Sequence, residues 1–135
     1  MAIRWTHVTI TVSDLDRSIE FYTRMCRLDV VRDRRDEGGS TVWLGPAPRE
    51  GEHPEYVLVI YRGEVSNRVD HLGFQCDTRE EVDAIAEEAA GLGILVHPPT
   101  DSGGSVGYWT LVRDPDGHGV EFTCGQPLKG LSFPT

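Results

Sequence analysis

Long apolar runs are missing from this chain: nowhere do about 18 apolar residues follow one another, as a membrane-spanning helix needs. The opening residues, Met1-Ala2-Ile3-Arg4-Trp5, also lack the apolar stretch of a secretory signal. Cysteine is sparse. Cys26, Cys76 and Cys124 are odd in number and far apart, with no paired spacing for a zinc knuckle or a disulfide framework, so a reducing, cytoplasmic setting is expected. Positive charge is in deficit, with 13 Lys and Arg against 22 Asp and Glu and a net charge of −9. That balance argues against nucleic acid or an anionic membrane as partner and favours a soluble protein with a cationic or metal-bound centre. At 135 residues and 39% hydrophobic content, the chain can bury one core but not two independent ones, and a single domain is expected.

What the chain does contain is a repeat. His7-Val8-Thr9-Ile10-Thr11-Val12 reappears as His71-Leu72-Gly73-Phe74-Gln75-Cys76, and Leu58-Val59-Ile60-Tyr61-Arg62-Gly63 reappears as Val120-Glu121-Phe122-Thr123-Cys124-Gly125. Val59 stands 52 residues after His7, and Glu121 stands 50 after His71. The patterning between these strings repeats too. Residues 4–12 alternate as a strand, and Ser13-Asp14 offers an N-cap for a helix to about Cys26 that carries apolar Leu15, Ile19, Phe21, Tyr22 and Met25. Residues 28–31, 41–44 and 56–61 read as strands, separated by charged residues 32–39 and the Pro- and Gly-bearing residues 45–54. After a linker at 62–68, residues 70–76 form a strand, and Asp77-Thr78 opens a helix that ends near 91–93. Residues 94–97, 107–112 and 119–123 complete the second set of strands, the last two joined by the turn Asp114-Pro115-Asp116-Gly117. Each half is β-α-β-β-β, an α+β arrangement with module one at about 4–63, module two at about 69–125 and a tail at 126–135. His118, in the turn, is expected to be exposed, and His97, before Pro98-Pro99, to end a strand.

Copies that fold alike about a pseudo-two-fold axis place His7, His71, Glu121 and Val59 at equivalent positions. Two imidazoles, one carboxylate and one blank can hold a divalent metal with coordination sites left open. A lone histidine in a strand is usually an ordinary surface or core residue. Two at one place in a repeat weigh more, because burying both without partners costs about 1–3 kcal/mol each. Glu121, within Gly119-Val120-Glu121-Phe122, is likewise expensive to bury without a cation. The ligand set leaves a net +1 on a bound M²⁺, which favours a small chelating oxygen substrate; Fe(II) or Mn(II) suits it best, with Zn(II) and Ni(II) as alternatives. Strand alternation groups His7 with Thr9 and Thr11, and Trp109 with Leu111. Thr9, Val59, Trp109 and Leu111 are therefore the expected pocket walls, and the small residues of 101–105 a mobile lip.

The strings HVTITVSDLDRSIEFY, HLGF and DPDGHGVEF, in this order and spacing, resemble the vicinal oxygen chelate superfamily of glyoxalase I, extradiol dioxygenases, fosfomycin thiol transferases and bleomycin-binding proteins. The resemblance runs from Trp5 to Gly125. It implies two βαβββ modules forming an eight-stranded cup, a metal held from the first and last strands of the modules, and a homodimer. Glyoxalase I usually carries a glutamate or glutamine where this chain has Val59, which disfavours a true glyoxalase unless Glu55 or another nearby acid substitutes. The three-ligand pattern matches the dioxygenases and fosfomycin enzymes, although the tyrosine common ten residues before the carboxylate is Leu111 here. Asp101 and Gly130 stand near the offsets where fosfomycin enzymes grip the phosphonate with lysine and arginine. The resemblance thus implies a metal-dependent enzyme, with extradiol dioxygenation as the leading reaction. An enediolate lyase or isomerase follows, and a non-catalytic drug-binding protein is the rival.

Overall fold

The computed structural model describes residues 5–127, so Arg4 of the expected first module and residues 128–135 of the expected tail, Gly130 among them, lie outside the described residues. The chain divides into two compact units, Met1–Arg68 and Val69–Thr135.

In the first unit the order is β1 (His7–Val12), α1 (Leu15–Met25), β2 (Asp29–Asp33), a short 3-10 helix (Arg34–Glu37), β3 (Thr41–Gly45) and β4 (Val57–Arg62). The β-branched residues of β1 alternate: Ile10 and Val12 are buried while His7 and Thr9 stay exposed on the other face. Asp14 caps α1, its carboxylate accepting the Arg17 backbone N–H at 3.0 Å. Leu15, Ser18, Phe21, Tyr22 and Met25 recur at helical spacing and are buried together with Val42, Leu44 and Ile60 of the sheet. Each large apolar side chain removed from water in this way contributes about 1.5–3 kcal/mol. The strands lie in the order β1-β4-β3-β2, with β1 and β4 parallel and the other pairs antiparallel. The charged stretch expected only to separate strands in fact extends β2 to Asp33 and then winds into the 3-10 helix. Asp33 accepts the Arg35 backbone N–H at 3.0 Å, and Gly38, at φ +79°, closes the turn.

The second unit repeats the plan with β5 (Leu72–Gln75), α2 (Arg79–Leu92), β6 (Leu95–Asp101), β7 (Tyr108–Arg113) and β8 (Gly119–Cys124). Its sheet order is β5-β8-β7-β6, and β5 and β8 are the parallel pair. Thr78 caps α2 by accepting the Glu81 backbone N–H at 3.2 Å, and Gly93, in the left-handed region, ends it. Val82, Ala86 and Ala89 are buried on the helix, and Val112, Val120 and Phe122 in the sheet. Strand β6 runs past the expected end at His97 and through Pro98-Pro99 to Asp101. Prolines are tolerated there because β6 is an edge strand whose pairing with β7 shifts register on both sides of His97. The fold is therefore α+β, two four-stranded mixed sheets each carrying one helix. No helix of the described residues is long and apolar enough to cross a membrane.

Candidate metal and substrate site

Strand register gives the sequence repeat a structural meaning. In the first unit Val59 lies between Thr9 of β1 and Trp43 of β3; in the second, Glu121 lies between Gly73 of β5 and Leu111 of β7. Val59 and Glu121 therefore occupy the same place in two like sheets.

The second unit brings two of the expected ligands together. His71 Nε2 stands 3.2 Å from Glu121 Oε2, with the Glu121 side chain 15% exposed and that of His71 45%. Two donors bound at about 2.1 Å to one ion, at right angles, stand about 3 Å apart, so this spacing fits a shared divalent cation. The other imidazole nitrogen, His71 Nδ1, is 2.6 Å from Asp70 Oδ1. Gly119 permits this arrangement: a Cβ there would lie 2.1 Å from the Asp70 carbonyl oxygen and 3.0 Å from His71 Cβ. A side chain at 119 would push the start of β5 away. On the same face Trp109 stacks on His97 with ring centroids 4.5 Å apart and donates its indole N–H to Ser102 Oγ at 2.9 Å. That bond ties down the segment expected to be a mobile lip. Thr123, opposite Trp109 in the register, is 1% exposed, and its hydroxyl has no hydrogen-bond partner.

The first unit contributes His7, whose Nδ1 is 2.8 Å from Thr6 Oγ1. His7 opens onto a cavity of about 420 Å³ whose walls include Thr9, Thr41, Trp43, Glu55 and Val59. The Thr41 hydroxyl is buried without a partner. Arg34 also reaches this cavity, its Nε donating to Glu37 Oε2 at 3.2 Å. Of the expected pocket residues, Thr9 and Val59 thus line one cavity with His7, while Trp109 and Leu111 belong to the sheet of Glu121. Among the described residues no three His, Cys, Asp or Glu side chains gather into one metal-holding group. The reason within each unit is the donor count: valine at 59 leaves the first with one donor at the repeat position, and the second has two.

Sequence reasoning passed over Asp70, Thr6, Thr41 and Trp43, whose roles depend on side-chain direction. Gly119 left a readable signal, since its register partner in the first unit is Val57. His118 is a correction. Expected in solvent, it is 1% exposed, its Nδ1 accepting the Val69 backbone N–H at 3.1 Å and its own backbone N–H donating to Asp114 Oδ1 at 2.8 Å. Asp114 Oδ1 also accepts the Asp116 N–H, and the tightened turn draws the ring inward.

The sequence model of the Glyoxalase/Bleomycin resistance protein/Dioxygenase superfamily matches residues 4–122. An uncharacterized protein of Pseudomonas aeruginosa is 37% identical over 128 residues, covering 91% of this chain and 89% of that one. A lactoylglutathione lyase of Arabidopsis thaliana is 34% identical over 125 residues, 87% of this chain, which spans only 43% of that enzyme's length. Among solved structures, a point mutant of a fosfomycin resistance protein of Listeria monocytogenes in complex with Mn(II) and a dihydroxypropylphosphonic acid superposes with a TM-score of 0.73. It is 23% identical, covering 94% of this chain and 95% of that one, and so attests the fold alone.

Proposed function

We propose, because this chain belongs to the Glyoxalase/Bleomycin resistance protein/Dioxygenase superfamily, that it is a metal-dependent enzyme for a small substrate with two adjacent oxygens, its cation ligated by His71, Glu121 and His7. The observation that carries this reading is the 3.2 Å approach of His71 Nε2 to Glu121 Oε2, with Glu121 between well-buried Val120 and Phe122. A carboxylate held in that setting gains most from a cation beside it. When bound, the cation supplies Lewis acidity toward the substrate oxygens, and Fe(II) or Mn(II) suits the donor set ahead of Zn(II) or Ni(II).

The protein's own groups divide the remaining work. Glu55, on the wall of the His7 cavity, is the candidate base, its carboxylate oxygen accepting a proton from substrate carbon. Trp43 and Val59 exclude water from one side. This arrangement supports a lyase or isomerase passing through an enediolate, in keeping with the lactoylglutathione lyase relative. A second reading, extradiol dioxygenation, is favoured by Val59 itself, which cannot coordinate and so leaves room on the cation for a second small ligand. The homodimer implied by the family resemblance belongs to the same proposal and is checked by sedimentation.

Chelator-stripped protein titrated with Mn(II), Fe(II) and Zn(II) is expected to bind one equivalent and, once loaded, to turn over either lactoylglutathione or a member of a catechol panel. Turnover of lactoylglutathione that Glu55→Gln abolishes supports the lyase, and oxygen uptake with a catechol supports the dioxygenase. Less than about 0.1 equivalent of any metal, with a ligand retained unchanged, sinks the enzymatic reading in favour of a sequestering protein.

A further inference from the structure

We infer that Thr6 and Asp70 are positioning residues that present Nε2 of His7 and of His71 as the ligating nitrogens, an inference that rests on the metal reading above. The two are not alike in sequence, yet each immediately precedes its histidine, and each lies against the same ring atom. Thr6 Oγ1 is 2.8 Å from His7 Nδ1, and Asp70 Oδ1 is 2.6 Å from His71 Nδ1. A device that recurs at both repeat positions with different chemistry points to the ring nitrogen it holds, not to inherited sequence.

The chemistry separates the two. A carboxylate can only accept, so Asp70 draws the proton of a neutral His71 to Nδ1, whereas Glu121, at the other ring nitrogen, draws it to Nε2. A cation between Nε2 and Glu121 Oε2, which stand 3.2 Å apart, takes over that second position and leaves the proton to Asp70. The Thr6 hydroxyl both donates and accepts. It holds the ring of His7 without dictating which nitrogen carries the proton. Asp70 therefore favours the ligating tautomer as well as the ring's orientation, and Thr6 orientation alone. Hydrogen-bonded partners of this kind typically change metal affinity by about 10–100-fold. The Asp70 side chain is 96% exposed, which places its effect at the lower end of that range.

The experiment combines Mn(II) and Zn(II) affinities of the full chain with nitrogen NMR of the imidazoles in metal-free protein at a pH where they are neutral. Wild type is expected to show His71 with a substantial Nδ1-protonated population. Asp70→Ala is expected to move the proton to Nε2, beside Glu121, and to bind either metal about tenfold more weakly, with an unchanged unfolding midpoint. Asp70→Asn, which keeps an acceptor oxygen without the charge, restores most of the tautomer preference, and Thr6→Val weakens binding less than Asp70→Ala. Unaltered affinity and tautomer in Asp70→Ala overturn the positioning role while leaving the metal reading intact. Absence of metal binding by wild type overturns the metal reading, and with it the ligating role given to Nε2, whatever the tautomers show.

Discussion

The helix-facing and open faces of the two sheets have diverged to different degrees. Where α1 and α2 cover the sheets, register partners keep their character: Ile10 matches Phe74, Ile60 matches Phe122, and Leu44 matches Val112. Sizes compensate, since α1 carries Phe21, Tyr22 and Met25 over aliphatic strands, whereas α2 offers Val82, Ala86 and Ala89 to a sheet whose Phe74 and Phe122 stack at 5.9 Å. On the open face the same register sets Thr9 against Gly73, Trp43 against Leu111 and Val59 against Glu121. Dense packing forbids free exchange under a helix. The other face carries no helix, although Val57, Val59 and Thr123 on it are buried, and that is where donor atoms differ between the copies.

The sharpest way to break the comparison is to make the second sheet like the first. Glu121→Val is expected to weaken metal binding by about 1,000-fold, roughly 4 kcal/mol, measured by competition with a chelating dye, while the unfolding midpoint falls little. Gly119→Ala tests the space that only the second unit needs. With a Cβ 2.1 Å from a backbone oxygen, it should cost about 3 kcal/mol in urea denaturation, whereas Val57→Ala at the matching position should cost less. The converse exchange, Val59→Glu, adds a donor beside His7. It should tighten metal binding about tenfold, roughly 1.4 kcal/mol, and lower metal-free stability, since an unpaired acid then lines the cavity.

The smallest effect concerns acid. Hydrogen bonding to Arg35 holds the Asp33 carboxyl below its usual range. A lowered carboxyl contributes stability that is complete above its unfolded value, near 4, and is lost as pH falls through the lower folded value. Asp33→Asn should therefore destabilise by no more than about 1 kcal/mol at neutral pH, and the difference from wild type should shrink toward zero in strong acid.

Both βαβββ orders and the equivalence of Val59 with Glu121 were legible because period-two strands, caps and glycines are local signals. The strand after α2 was cut short at His97 because Pro98-Pro99 normally ends a strand, and only its edge position, a tertiary fact, lets it continue. His118 was misjudged because a turn rich in Asp and Gly reads as solvated, while the Asp114 carboxylate folds this one inward. In the candidate site the donors could be named from their place in the repeat. The groups that aim them, Thr6 and Asp70, could not, since neither matches the other and their role lies in which ring atom they touch.

The hydrogen bond from the Val69 N–H to buried His118 has a practical corollary for protein engineering. It clamps the chain at the first residue of the second unit, downstream of the linker at 62–68. Residues inserted at about 64–67 are expected to take up their slack before the clamp, so that β5 enters its sheet in an unchanged frame. That segment is thus the natural place to splice in a reporter, and His118→Ala the variant in which the same insertion should become disruptive.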